Sequence, residues 1–296
     1  MAAFGLIKKG GMNPFPWWKY PHSTLNRDLA SSSSTFVNPN HFGGYLEMVV
    51  PVTLGMLLTG SRATRLLAIL AVLEAIALIF SLSRGGWIGG TFGLIFMFMA
   101  LMLSQYTGRR RFVLATAVAI AIASVLIISS RSVVYEVRSF IERSKDTSLK
   151  SRMLVWRSVI DMAMDHPGLG TGPGTFGLMF TQYQPPGFTS RVTMAHNDYL
   201  QVLSETGLGV IAIFGWLVIA FYRRGWDKLR HPSRLVRGTT LGAMSGVTAM
   251  LVHSGFDFNL HIPSNALLFI VLVAIAMSPI PMADRPHPAT RSTNNS

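Results

Sequence analysis

Apolar residues along this chain gather in long blocks separated by short polar or basic stretches. A helix that crosses a bilayer core needs about 20 predominantly apolar residues, and several blocks approach that length. They are Phe42 to Thr59, Leu66 to Ser83, Gly86 to Ser104, Phe112 to Ser130, Tyr199 to Tyr222, Thr239 to Phe256 and Ser264 to Ile280. The pattern predicts an all-α fold, a polytopic transmembrane helical bundle with about seven spanning helices.

A long loop, residues 131–195, separates the fourth block from the fifth and contains an amphipathic pattern. Apolar residues recur at helical spacing between Leu149 and Asp165, and Pro167 ends the pattern. These residues are Met153, Trp156, Ile160 and Ala163. We expect this helix to rest its apolar stripe on the membrane surface or on the top of the bundle.

The segment His166 to Phe176 follows that helix with the sequence HPGLGTGPGTF. Its alternating glycines would let backbone N–H groups approach a phosphate, although the Lys-Ser/Thr ending of a P-loop is missing. The alternative is a simple turn that uses glycine for its backbone freedom. The sequence leaves both interpretations open.

Composition supports the membrane interpretation, because only 13% of the 296 residues are charged against about a quarter in soluble domains. The net charge of +13 would suggest nucleic acid as the partner of a soluble protein. Here the basic residues concentrate in the short connections 61–65, 109–111 and 223–237. The positive-inside rule places these connections in the cytoplasm and the long loop outside, so we expect membrane lipids and no nucleic acid as partners.

Five ordered motifs carry a resemblance to a known family. They are NPNHFGGYLEMVVP from Asn38, SLSRGGWIGG from Ser81, RMLVWRSVIDMAMDHPGLGTGPGTF from Arg152, AHNDYLQVLSETGLG from Ala195 and HSGFDFNLHIPSNALLF from His253. Together they resemble the superfamily of O-antigen ligases and Wzy-type polymerases, which are glycosyltransferases of the bacterial envelope. The resemblance implies a multi-pass inner-membrane enzyme that moves a glycan from a polyprenyl-diphosphate carrier to a glycan or lipid acceptor in the periplasm, without a cofactor.

The apolar blocks and the positive-inside rule divide the chain into regions. These are a periplasmic N-terminal segment 1–41, four transmembrane helices in 42–130, a periplasmic loop 131–195, three transmembrane helices in 196–281 and a disordered cytoplasmic tail 282–296. Family members carry further helices before the first motif. We therefore expect the N-terminal segment to have been cut from a longer chain.

Two catalytic residues follow from the resemblance. Arg84 matches an Arg-x3-Leu motif of the ligases, with Ile88 in the place of leucine. His196 and Asn197 match a His-Asn motif that supplies a catalytic histidine, and Gly207 follows at the family spacing. We assign catalysis to Arg84 and His196, and substrate binding to Asn197.

The chemistry of these residue types supports the assignment. A planar guanidinium such as that of Arg84 binds a diphosphate bidentately and stabilises its charge as the sugar leaves. The imidazole of His196 accepts a proton from an attacking hydroxyl near neutral pH. The alternatives are an arginine that anchors a helix end at the interface and a histidine that is only a polar residue at a helix start.

Three further residues are candidates for substrate binding. His253 and Asp257 flank the last outer turn, where Asp257 is placed to orient an arginine or the acceptor. Arg191 precedes His196 by five residues and is a second candidate contact for the diphosphate. We find no metal-ligand spacing, and arginine supplies the positive charge that a metal would otherwise provide. The enzyme is therefore expected to be metal-independent.

Other functions remain open at this point. A transporter of a small anion such as bicarbonate would also be a polytopic membrane protein, but it should show repeated halves and polar groups near the midplane. The polar candidates here crowd the outer rim, which favours surface chemistry on a lipid-linked donor. An inactive fragment is a third possibility. The sequence does not distinguish ligase from polymerase, or identify the sugar, the acceptor or the oligomeric state.

Overall fold

The structure is a computed structural model that describes residues 34–36, 38–60, 62–103, 147–188 and 191–279. Within these ranges the fold is all-α, as predicted. Its helices are α1 (Pro39–Leu58), α2 (Thr64–Phe80), α3 (Arg84–Leu103), α4 (Thr147–Asp165), α5 (Phe176–Met179), α6 (Asp198–Thr206), α7 (Gly209–Lys228), α8 (Arg234–His253) and α9 (Pro263–Met277). Short 3-10 turns cover Phe180–Gln182 and Asn259–His261.

Four of these helices, α1, α3, α7 and α8, are long and apolar enough to cross a membrane. The helix α9 is apolar but has only 15 residues, and α2 has 17. The predicted span Phe112 to Ser130 lies outside the described residues. The count of seven spans therefore stays a prediction, as do the region boundaries derived from it.

The predicted span from Tyr199 to Tyr222 is wrong, because the helix breaks at Gly207. This residue has a φ of 77°, a conformation that glycine adopts without the penalty of a side chain. The preceding helix α6 is polar on its buried face, where Gln201 and Glu205 are enclosed by protein. The helix that is long and apolar enough to cross a membrane begins only at Gly209, so α6 and its polar face lie before it.

The core of the bundle is α8, which packs most extensively against α1 and α3. Glycines repeat every fourth residue along α8 at Gly238, Gly242 and Gly246. A side chain at Gly242 would collide with the backbone of Val52 on α1, and one at Gly246 with the backbone of Met48. These small residues let the two helix backbones approach closely, a common way to pack helices in membranes.

The helix α4 forms a small apolar cluster with the segment that contains α5. Its members are Val155, Val159 and Met162 on α4, with Phe176, Phe180 and Ala195 from the following chain. Met153 and Ile160 of the predicted stripe do not join this cluster and have exposed fractions of 53% and 47%, so contact of the stripe with the membrane surface stays a prediction. The phenylalanine rings select the adjacent face of the helix, which helical periodicity alone does not determine.

Several chain segments meet at one end of the bundle. The N-termini of α1 and α3 meet the C-terminus of α8 there. Gly85 of α3 lies so close to His253 of α8 that a side chain would collide with it. Asn40 of α1 contacts Asp257, which follows α8. The start of α6 joins them where Asp198 N–H donates to the Ser254 carbonyl over 2.8 Å. Arg84, His196, Asn197, His253 and Asp257 lie at this end.

Candidate functional site

His196 lies in the turn before α6 and has a backbone φ of 50°. This left-handed conformation is uncommon for residues other than glycine and persists where the surroundings enforce it. The neighbouring Ala195 is held on both sides: its N–H donates to Gln201 Oε1 over 3.0 Å, and its carbonyl accepts from Trp156 Nε1 over 2.9 Å. The helices α4 and α6 thus fix the backbone that presents the histidine.

The partner of His196 is the carboxylate of Asp257. The distance from His196 Nδ1 to Asp257 Oδ1 is 3.1 Å. Asp257 is buried, whereas the His196 side chain is 39% exposed. A carboxylate only accepts hydrogen bonds, so Nδ1 carries the proton and Nε2 of the neutral ring keeps its lone pair. The pair therefore presents a base to the solvent side.

The other oxygen of Asp257 has two further partners. Asn40 Nδ2 donates to Oδ2 over 3.0 Å, and an Arg152 guanidinium nitrogen lies 3.9 Å from the same oxygen. Burial alone would raise the pKa of Asp257, but the His196 hydrogen bond and the Arg152 charge outweigh it and hold that pKa well below its usual range. The carboxylate therefore stays ionised at neutral pH.

The first motif positions one of these partners. Asn38 is the N-cap of α1 and accepts from the Asn40 N–H over 2.9 Å, while Pro39 occupies the first helical turn. This start aims the Asn40 amide at Asp257. Sequence reasoning missed both Asn40 and Arg152, although each lies in a motif quoted for the resemblance.

Arg84 is the first residue of α3 and is exposed. The adjacent Gly85 rests on the His253 ring, where a side chain would overlap the imidazole. His253 is 1% exposed. It lies within hydrogen-bond distance of Glu47 Oε1 at Nδ1, 2.9 Å, and of Asn259 at Nε2, 3.1 Å. His253 thus packs against the start of α3. Its assignment to substrate binding stays a prediction.

The other two predicted binding residues have partners within the protein. Asn197 is the N-cap of α6: its Oδ1 accepts from the Leu200 N–H over 3.1 Å, and its Nδ2 donates to the Gly255 carbonyl over 3.0 Å. Arg191 donates to the Gly177 carbonyl over 2.6 Å. The structure brings His196, Asp257 and Asn197 together, and it holds Arg191 on the segment around α5. Their roles toward a substrate stay predictions.

The backbone N–H groups of the glycine-rich segment bind a carboxylate of the same chain, that of Glu205. The N–H groups of Gly174 and Phe176 donate to the Glu205 carboxylate over 2.9 and 3.1 Å. Gly172 and Gly174 have φ values of 106° and 75°, which glycine allows. The segment is thus a turn tied to α6, and the carboxylate occupies the donors considered for a phosphate.

The arrangement can move a proton and bind a negative charge. The Nε2 lone pair of His196 can accept a proton, and the guanidinium groups of Arg84 and Arg152 can bind an anion. A role in catalysis for these residues stays a prediction. Among the residues that the structure describes, no three His, Asp or Glu side chains are grouped as metal ligands.

Comparison with known proteins locates the chain in a family. Residues 67–215, about half of the chain, match a family model described as Wzy_C, O-antigen ligase. A search of curated proteins finds no match. The matched region contains Arg84, Arg152 and His196, whereas Asp257 lies beyond its end.

Proposed function

This chain belongs to the O-antigen ligase family, and on that premise we propose that it transfers a glycan from a polyprenyl-diphosphate carrier to an acceptor hydroxyl at the periplasmic face of the bacterial inner membrane. The observation that carries the proposal is the pair formed by His196 and Asp257, with 3.1 Å between Nδ1 and Oδ1. This pair supplies the base that an alcohol acceptor needs.

The proton leaves the acceptor through His196. Asp257 holds Nδ1–H and so directs the Nε2 lone pair outward, where it takes the hydroxyl proton as the oxygen attacks the anomeric carbon. A new glycosidic bond forms, and the bond from that carbon to the diphosphate oxygen breaks. Asp257 also stabilises the imidazolium that results, as the acid does in a Ser-His-Asp triad.

The diphosphate leaves with the electron pair of the broken bond, and its negative charge must be stabilised. Arg84 stands at the N-terminus of α3, where the helix dipole adds a partial positive charge. Arg152 lies beside Asp257, with 3.9 Å between a guanidinium nitrogen and Oδ2. A guanidinium group at the start of α3 and another beside Asp257 support departure of a diphosphate without a metal.

Glycan transfer itself is the direct test. Protein purified into lipid vesicles should move a glycan from an undecaprenyl-diphosphate donor to a lipid A-core or glycan acceptor, detected as a shift of the labelled product on a gel. Vesicles without the protein are the control. Uptake of labelled bicarbonate without glycan transfer would contradict the proposal and favour the transporter.

The orientation has its own test, because the natural sequence contains no cysteine. Gln182→Cys, at an exposed position after α5, should react with a membrane-impermeant maleimide in intact spheroplasts. Pro232→Cys, exposed between α7 and α8, should react only after the membrane is opened. The expectation follows from the basic short connections. The reverse pattern would put His196 on the cytoplasmic side and overturn a periplasmic reaction.

A further inference from the structure

Asp198 and His261 form a second Asp-His pair, which the proposed chemistry does not use. Asp198 Oδ1 is 2.7 Å from His261 Nδ1, and its Oδ2 accepts from the Leu260 N–H over 3.1 Å. On the other side of the ring, His261 Nε2 lies 3.2 Å from Gln201 Nε2. Gln201 Oε1 in turn accepts from the Ala195 N–H over 3.0 Å. We call Asp198, His261, Gln201 and Ala195 the Gln201 network.

The donors and acceptors of this network permit one arrangement. The backbone N–H of Ala195 can only donate, so the Gln201 oxygen must face it and the amide nitrogen must face His261. That nitrogen is a donor, so His261 Nε2 must be an acceptor without a proton. The ring proton then resides on Nδ1 and is donated to Asp198. The network is fully satisfied only while His261 is neutral with its proton on Nδ1.

The network ends one residue before the base. Gln201 and Asp198 are each 3% exposed, so their bonds are protected from competition with water. His196 follows Ala195 directly and has the φ of 50° that a residue with a side chain seldom adopts. We propose that Asp198, His261 and Gln201 are positioning residues that hold the Ala195 N–H and thereby aim His196 for proton transfer. The proposal rests on the proposed function for the role of His196 as the base.

Protonation of His261 would disturb this arrangement. An added proton on Nε2 would point at the Gln201 NH2 group, so the amide would have to turn over and leave the Ala195 N–H facing a donor. The groups whose charges act on His261 are the carboxylates of Asp198 and Glu205. The hydrogen bond to Asp198 raises the pKa of His261 above its ordinary value, against the effect of burial.

Acidification has opposite effects on the stability of the fold and on the hydrogen bond that holds Ala195. Because the pKa of His261 is raised in the folded chain, its charged pair with Asp198 stabilises the fold at low pH, and this contribution is lost as the pH rises through that pKa. The Ala195 hydrogen bond behaves oppositely, because it needs neutral His261 and is lost as the pH falls. Acidification should therefore release Ala195 without unfolding this region.

The test reads the tautomer without any turnover. In 15N-histidine NMR spectra of the protein in nanodiscs, with the His261 signals assigned by their loss in His261→Asn, neutral His261 should carry its proton on Nδ1. The Ala195 amide should be protected from hydrogen exchange at a pH above the raised pKa of His261, where the ring is neutral, and should lose that protection as His261 becomes protonated. A proton on Nε2 of neutral His261, or an Ala195 amide that exchanges freely throughout, would overturn the network.

Gln201→Glu gives the sharpest variant. One carboxylate oxygen can accept from Ala195 while the other accepts from a protonated His261, so this variant should keep the Ala195 amide protected on acidification. Gln201→Ala should lose the protection at every pH. The matched control is Gln184→Ala, which removes a glutamine that accepts from the Val192 N–H over 3.1 Å in the same loop.

Kinetics separate positioning from simple structural support. Gln201→Ala should lower kcat about tenfold or more with the KM for donor unchanged. Gln201→Glu should restore most of kcat, and Gln184→Ala should match the natural protein. A Gln201→Ala variant with normal kcat would overturn the positioning role. If the natural protein transfers no glycan, the proposed function fails, whereas the NMR result still decides whether the network exists.

Discussion

Replacing His196 with alanine should slow single-turnover glycan transfer by about a hundredfold or more, the usual contribution of a positioned general base, while lipid-linked donor still binds. The reason is that Nε2 is the lone pair directed outward by Asp257. Asp257→Asn should produce a comparable loss, because an amide can offer a donor to Nδ1 and favour the wrong tautomer. Transfer and donor binding are measured on the same protein in lipid vesicles.

The matched control for this variant is His231→Ala, which removes a histidine that accepts from the Ser233 N–H in the connection between α7 and α8. It should transfer at the natural rate. EDTA should leave the activity of the natural protein unchanged, because arginine supplies the positive charge in the proposed reaction. A normal rate for His196→Ala, or a collapse of natural activity in EDTA, would contradict the proposed chemistry.

Replacing Arg84 with alanine should abolish turnover and also weaken binding of the lipid-linked donor. The side chain is exposed at the first residue of α3, and its guanidinium fork fits two diphosphate oxygens at once. Arg84→Lys should recover only part of both quantities, because an ammonium keeps the charge but loses the planar fork. Donor binding is measured by equilibrium titration with labelled lipid-linked glycan.

The control for Arg84 is Arg230→Ala, an exposed arginine beyond the C-terminus of α7. It should leave donor affinity unchanged. If Arg84→Ala binds donor as tightly as the natural protein, the diphosphate contact must be made elsewhere, and Arg152 becomes the first alternative because it lies beside Asp257. If Arg84→Lys behaves like the natural protein, charge alone matters and the bidentate contact is excluded.

Much of the helical framework was predictable from local patterns. The first, third and sixth apolar blocks correspond to α1, α3 and α8 with ends that differ by a few residues. Long apolar runs encode such helices because every backbone polar group in a membrane must be bonded within its own helix. The break at Gly207 was missed, because apolar residues occur on both sides of it. Only the polar residues on the buried face of α6 distinguish this helix from α7.

The candidate site was predictable in part. His196 and Asp257 were singled out by motif and position, and the structure joins them. Asn40 was not predicted, and it is 217 residues from its partner Asp257 along the chain. Arg152 was not predicted, because it lies in an amphipathic pattern of which only the apolar residues were interpreted. A charged residue on the polar face of an amphipathic helix gives no local sign of the carboxylate it will meet.

The sequence by itself determined the class of fold, the family motifs and the residue types available for chemistry, because apolar periodicity and motif order are properties of the chain. Only the tertiary structure decided which acid meets which histidine: Asp257 with His196, Asp198 with His261 and Glu47 with His253. These pairs form because α1, α6 and the turn after α8 meet at one end of the bundle. Burial there makes an unpaired polar group costly, so packing selects the partners that local sequence leaves open.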